Sequence, residues 1–215
     1  MIIDAHTHRY ADEVLSDPTA FAQKQGEHHW LELTAPHKKK SIQGWVSGER
    51  MIRDMENAGV NKSILLGWYW ENPETCILQN NWCADWILEN PNEFFGFVSL
   101  HPKMSNPLDE LKKRRDQGFV GIGECHPRVQ GGSPKNENWI RCMEFASDLG
   151  WPVTYHVTEP VGHEYPGRIP TPFEDFLWLT REFPGLKIIL AHAGGLFPFY
   201  ELNPKIRPQL KNVYY

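Results

Sequence analysis

No stretch of this sequence approaches the roughly 18 consecutive apolar residues of a membrane span. The opening Met1-Ile2-Ile3-Asp4 lacks the basic region and long apolar core of a signal peptide. Basic excess is missing too: 22 Lys and Arg stand against 27 Asp and Glu, a formal charge of −5. That balance excludes a global pull toward nucleic acid or anionic membranes. The basic run Lys38-Lys39-Lys40 is short and reads as a solvated loop. Cysteine is scarce, with four in 215 residues. Cys76, Cys83, Cys125 and Cys142 form no C-x-x-C pair, which suits reduced thiols in a cytoplasmic protein and not a disulfide scaffold. Several reaction signatures are absent: no G-x-S-x-G elbow, no G-x-x-x-x-G-K-[ST] loop, no G-x-G-x-x-G after a strand.

What is present is an ordinary globular balance, 40% hydrophobic and 23% charged, which excludes disordered and fibrous classes. The length suits one domain, residues 1–215. Nine Trp and ten His stand out. So many rings imply an aromatic-lined pocket, an oligomer interface, or simply a core filled by large side chains. Short apolar runs alternate with amphipathic ones. Strands are expected at Met1–Ala5, Lys62–Gly67, Phe94–Leu100, Phe119–Cys125, Pro152–Val157 and Lys187–Ala191. Helices are expected at Gly48–Ala58, Glu74–Glu89, Pro107–Gln117, Asn138–Leu149 and Thr171–Phe183, each stopping near Gly59, Pro91, Gly118, Gly150 or Pro184. Such alternation means parallel strands with helical crossovers, buried on both faces. The segment at about 9–46 interrupts the rhythm and reads as a lid-like insertion, a dimer contact or a plain excursion.

A doubly wound open sheet and a closed (β/α)8 TIM-like barrel both fit. Polar residues at the C-terminal strand ends favour the barrel, whose strand ends converge on one mouth. His6 and His8 lie two apart, on one face of the first strand, and could grip one metal ion. His156 ends V-T-Y-H and His192 ends I-I-L-A-H, making four histidines at one mouth. Glu124 follows Gly121 and Gly123, which leave room before it. A buried carboxylate needs a partner or a metal, so Glu124 reads as a ligand or acid/base, with a salt bridge as the structural alternative. Alternation places Glu124 and His126 on one face and Cys125 on the other. Arg128 could hold a substrate carboxylate in a two-pronged bond, or be the salt-bridge partner of Glu124. His101 and Glu159 are weaker site candidates. Gly194-Gly195 would allow close approach of backbone or substrate.

I-I-D-A-H-T-H at the start, G-I-G-E-C-H-P, V-T-Y-H and I-I-L-A-H-A-G-G together resemble the amidohydrolase superfamily, in its branch of small metal-dependent hydrolases that includes aminocarboxymuconate semialdehyde decarboxylase. The resemblance implies that His6, His8 and His156 bind a divalent metal, with zinc expected, as one or two ions. It implies that His192 binds a second metal or orients water, and that Glu124 bridges two ions. It also calls for an eighth-strand aspartate. After His192 there is only a helix-like stretch and Asn212–Tyr215, which reads as the start of a seventh strand. The expectation is therefore a barrel cut off within its seventh strand, a fragment or one completed by a second polypeptide. The function expected first is hydrolysis of a small ester, lactone or amide by metal-activated water. Non-oxidative decarboxylation of a small carboxylic acid, or metal binding without turnover, are the alternatives. The expected partners are a small-molecule substrate and further copies of the chain in a homo-oligomer, with no nucleic acid and no membrane.

Overall fold

The computed structural model describes residues 1–34 and 45–215. The Lys38-Lys39-Lys40 run lies outside the described residues. Seven strands form one parallel sheet: β1 (Ile3–Thr7), β2 (Lys62–Leu65), β3 (Phe94–Val98), β4 (Phe119–Cys125), β5 (Pro152–Tyr155), β6 (Lys187–Leu190) and β7 (Val213–Tyr214). Their spatial order is their sequence order, and every pairing is parallel. A doubly wound sheet reverses strand order at a switch point. No reversal occurs here, and the sheet curls with helices outside it, as in a TIM-type (β/α) barrel. No described helix is long and apolar enough to cross a membrane.

The crossover helices are α4 (Gly48–Ala58), α5 (Pro73–Glu89), α6 (Pro107–Asp116), α7 (Glu137–Leu149) and α8 (Phe173–Glu182). Their ends follow from local chemistry. The Ser47 hydroxyl accepts from the Arg50 N–H, and the Asn136 amide oxygen accepts from the N–H groups of Asn138 and Trp139. Each such cap is worth about 1 kcal/mol. α4 and α7 stop where Gly59 and Gly150 turn left-handed, at φ 70° and 65°.

Phe94, Phe119, Ile122, Val153, Ile188 and Leu190 are buried in the core. Each such side chain contributes roughly 1.5–3 kcal/mol. β1 departs from the expected buried strand. It begins two residues later, and Ile3 is 40% exposed. The reason is position: among the described residues β1 pairs only with β2. All four cysteines are free and buried.

The insertion after β1 folds into three short helices, α1 (Asp12–Ser16), α2 (Pro18–Gln25) and α3 (His28–Thr34). It carries part of the aromatic excess, Trp30 and Trp45 among it. Trp30 packs on Trp70 at 5.3 Å and on Tyr10 at 5.7 Å, so these rings fill a core. The insertion is also tied to loops at the C-terminal strand ends. The His29 N–H donates to the Glu71 carboxylate at 2.6 Å, and the His29 ring lies 2.8 Å from the Gly167 carbonyl. The buried Glu27 carboxylate accepts from the Glu71 N–H at 2.7 Å. Burial raises its pKa, against the hydrogen bonds donated by Glu71 and Asn72.

Candidate metal centre

Four strands deliver five polar side chains to one point. His6 sits within β1 and His8 one residue past it. Glu124 lies in β4, His156 just beyond β5, and His192 two residues beyond β6. The nitrogens Nε2 of His6 and His8 are 3.3 Å apart. Glu124 Oε2 is 3.8 Å from His6 and 3.5 Å from His8, while its Oε1 is 3.0 Å from His156 Nδ1 and 3.7 Å from His192 Nε2. His192 Nε2 is 3.2 Å from His156 Nδ1. The carboxylate thus stands between two histidine pairs. His6, His8 and Glu124 form one candidate ligand group; Glu124, His156 and His192 form the other.

The donor chemistry fits a divalent cation. His8 Nδ1 faces the Leu66 carbonyl at 3.3 Å. A carbonyl can only accept, so with Nδ1 protonated toward it Nε2 would be free to present a lone pair to an ion, as metal-ligating histidines do. Two nitrogens each about 2.0–2.1 Å from one tetrahedral ion would lie about 3.3 Å apart, the separation found between His6 and His8. Protonation states agree. Burial lowers the His6 pKa to about 4, although Glu124 pulls it upward. Burial and His156 lower that of His192. Burial raises the Glu124 pKa, but His156 and His8 outweigh it and hold the group well below the usual carboxylate range. At neutral pH His6 and His192 are therefore uncharged and Glu124 is ionised, the state a metal requires.

Local backbone explains the convergence. β4 shifts register against β5 between Ile122 and Cys125. The Glu124 N–H donates to the Gly67 carbonyl and the Gly67 N–H to the Gly123 carbonyl, at 2.6 and 2.8 Å. Gly121 and Gly123 do not leave empty room. A Cβ on Gly121 would meet the Phe97 ring at 2.6 Å, and one on Gly123, at φ 137°, would meet the Thr154 carbonyl at 2.7 Å. The glycines let neighbouring strands close up behind the carboxylate. His192 opens a left-handed run through Ala193, Gly194, Gly195 and Leu196, which turns the chain immediately after β6.

The other sequence candidates sit elsewhere. His126 does not share the cluster with Glu124, because β4 ends at Cys125 and regular alternation stops there. It is buried, stacks on His156 at 5.3 Å, and its Nε2 lies 3.2 Å from the Ile169 carbonyl. Arg128 forms a two-pronged bond with Asp175 of α8, at 2.7 to 3.1 Å, and is not the partner of Glu124. His101 is buried, with Nε2 3.0 Å from the Glu71 carbonyl and Nδ1 accepting from the Lys103 N–H at 3.0 Å. Sequence reading passed over Trp68 and Tyr69. Trp68 meets His8 edge-on at 5.1 Å, and Tyr69 packs on His156 at 4.9 Å. Three consecutive aromatics, Trp68-Tyr69-Trp70, just past the apolar end of β2 were the available signal.

Known proteins give this geometry a context. Over 151 residues the chain is 27% identical to 2-amino-3-carboxymuconate-6-semialdehyde decarboxylase from Dictyostelium discoideum, covering 61% of this chain. The chain spans 42% of that relative's length. Among solved structures, 5-carboxyvanillate decarboxylase from Novosphingobium aromaticivorans, complexed with manganese, aligns with a TM-score of 0.67 at 17% identity, over 94% of this chain and 68% of its own. 4-Oxalomesaconate hydratase from Rhodopseudomonas palustris aligns with a TM-score of 0.67 at 20% identity, over 99% and 72%. At those identities the structures speak for the fold. The amidohydrolase family model matches residues 3–215, nearly the whole chain. With H-x-H on β1, Glu124 on β4 and histidines after β5 and β6, this chain belongs to the amidohydrolase family.

Proposed function

We propose that the protein removes carbon dioxide from a small carboxylic acid at a divalent metal held by His6, His8, His156 and Glu124, with His192 beside it as the proton carrier. The observation that supports this most is the junction of that donor set with a family relative named as a decarboxylase. A second decarboxylase shares the fold. The sequence alone ranked hydrolysis first and decarboxylation second; the relatives reverse that order. The shared fold with a hydratase means that architecture alone does not choose the reaction.

A bound divalent ion would supply Lewis-acid polarisation of a substrate oxygen. The chain's own residues do the rest. The Leu66 carbonyl fixes the tautomer of His8. Glu124 contributes the negative charge around which four imidazoles gather. Tyr69 and Trp68 pack against His156 and His8 and exclude water from that side. His192 has its side chain half exposed, at the open side of the cluster. It is placed to hold the proton that replaces the departing carboxylate, so that a C–CO2⁻ bond becomes a C–H bond. Zinc suits imidazole donors, while the carboxyvanillate enzyme was solved with manganese; both ions belong in the test. Assembly as a homo-oligomer is part of the proposal, since exposed apolar side chains such as Phe199 and Leu202 could meet a second copy. Sedimentation of the purified protein at micromolar concentration decides that point.

The functional test is metal analysis followed by release of carbon dioxide from a panel of carboxylic acids, alongside ester, lactone and amide hydrolysis. Metal-dependent carbon dioxide release is expected. Hydrolysis without carbon dioxide, or turnover indifferent to chelation, would overturn the proposal.

A further inference from the structure

Beside the metal centre lies an open cleft of about 370 Å³. His192 forms one end, so the cleft is continuous with the cluster. Val161, Leu196, Pro198 and Phe199 form apolar walls, and Glu159 is the acid that lines it. Val161, Leu196 and Phe199 are 64%, 43% and 67% exposed. Single exposed apolar side chains need no explanation, but a group of them rimming a site marks a binding surface. The cleft is built by backbone that departs from the ordinary. His192, Ala193 and Leu196 take φ of 58°, 52° and 79° without being glycine, at a cost of roughly 1 kcal/mol or more each. Gly195 brings this run against the segment after β5: a Cβ there would lie 2.8 Å from the Val157 side chain and 3.3 Å from Glu159 Cα.

Glu159 is held in place. An Arg168 side chain, 6% exposed, has Nε 3.9 Å from Glu159 Oε1 and donates from Nη2 to the Glu159 carbonyl at 2.8 Å. The Glu159 carboxyl itself remains partly open to the cleft.

We propose that the cleft takes the hydrocarbon body of the substrate and that Glu159 accepts a hydrogen bond from a hydroxyl or amino group on it. The inference rests on the reading of the site as a metal-dependent decarboxylase. The volume lies within the ~300–1,000 Å³ of small-ligand sites and suits a single-ring acid. The substrate carboxylate would turn to the metal, its ring would lie on Leu196 and Phe199, and its donor group would face Glu159. A second carboxylate at that end would meet like charge. The class is therefore a small acid carrying one carboxylate and at least one hydroxyl or amino donor.

Binding can be read without turnover, by calorimetry on the protein loaded with zinc or manganese. The probes are benzoate, the three monohydroxybenzoates and benzene-1,3-dicarboxylate. At least one hydroxybenzoate is expected to bind about 10-fold more tightly than benzoate, and the dicarboxylate more weakly than either. Glu159→Gln, whose amide oxygen still accepts but carries no charge, should weaken the hydroxyl preference and relieve the dicarboxylate penalty. Phe199→Ser should weaken benzoate and hydroxybenzoate alike by about 10-fold, with metal content and melting temperature unchanged. Unaltered selectivity in Glu159→Gln, or unaltered affinity in Phe199→Ser, would overturn the proposal. So would a Phe199→Ser variant that keeps probe affinity but loses self-association, which would make this face a contact between copies. If the probes bind as expected but no acid releases carbon dioxide, the cleft stands and the decarboxylase reading falls.

Discussion

Replacing Glu124 with Gln keeps the size of the side chain and removes its charge. The carboxylate lies 3.0 to 3.8 Å from nitrogens of four histidines. In the metal-free protein the change removes the interactions with His156 and His8 that hold the carboxyl pKa down, so the metal-free melting temperature should also fall, and the metal-dependent shift is the readout. In the metal-bound protein it removes an anionic ligand shared by both candidate groups. Loss of an outer-shell partner already costs about 10–100-fold in metal affinity, so loss of this ligand should cost about 100-fold or more. Stabilisation by a ligand present at 100 times its dissociation constant is about 2.7 kcal/mol. For a chain of this size 1 kcal/mol shifts the melting temperature by about 2–4 °C. The wild-type protein should therefore melt about 5–11 °C higher with metal. Glu124→Gln, binding 100-fold more weakly, should gain only about 0.4 kcal/mol at the same metal concentration, or roughly 1–2 °C. Differential scanning fluorimetry with and without zinc or manganese, after chelator treatment, measures both. A variant that keeps the full metal-dependent shift would refute the ligand role and leave Glu124 a structural carboxylate.

The remaining expectations address neighbouring parts of the argument. Burial lowers the His101 pKa to about 4 from 6.5. Between those values the unfolded chain binds the proton and the folded one does not, so this contribution to stability is intact above about 6.5 and is lost as pH falls toward 4. One such group supplies a slope of up to about 1.4 kcal/mol per pH unit; urea unfolding of the metal-free protein from pH 7 to 4 should show His101→Gln less acid-sensitive by about one proton, and equal slopes would reject the assignment. Gly123→Ala puts a Cβ 2.7 Å from the Thr154 carbonyl at φ 137°, and strain with overpacking should cost at least about 2 kcal/mol; a wild-type unfolding midpoint and metal content would count against the close-packing account. Arg128→Ala breaks a partly exposed bond to Asp175 and should cost only about 0.5–1 kcal/mol. If it instead raises KM for an active acid 10-fold with stability intact, Arg128 reaches the substrate during turnover.

The strand order was legible because it follows from burial on both faces. β4 matches its expected span, Phe119–Cys125, since a strand covered on both sides is a nearly continuous apolar run. Helix ends were legible wherever one residue type solves a local problem, as Gly59 and Gly150 do by turning left-handed. β1 was the exception. Its apolar composition is that of a buried strand, but exposure depends on how many neighbours a strand has, and that is a property of the assembled sheet.

The gathering of the histidines was legible for a topological reason. In a parallel sheet every C-terminal strand end lies on the same side, so His6, Glu124, His156 and His192 need only their places in the chain to be brought near one another. Nothing comparable guides residues beyond the strand ends. Arg128 meets Asp175, 47 positions away, because α8 packs beside the β4 loop, and no local pattern announces that pairing. His126 lies one residue past the β4 ladder, which ends at Cys125, and stacks on His156 beside the cluster instead of joining the ligand group. Gly194-Gly195 pointed to a close approach, but the left-handed conformation extends through His192, Ala193 and Leu196, residues that by themselves predict the opposite. Side-chain types that disfavour a conformation hold it only where the surrounding packing requires it. Here that packing sets the His192 ring against His156 at 4.6 Å, and His192 also lines the cleft. The same strained turn therefore serves both the ligand cluster and the substrate space, and relaxing it should disturb both together.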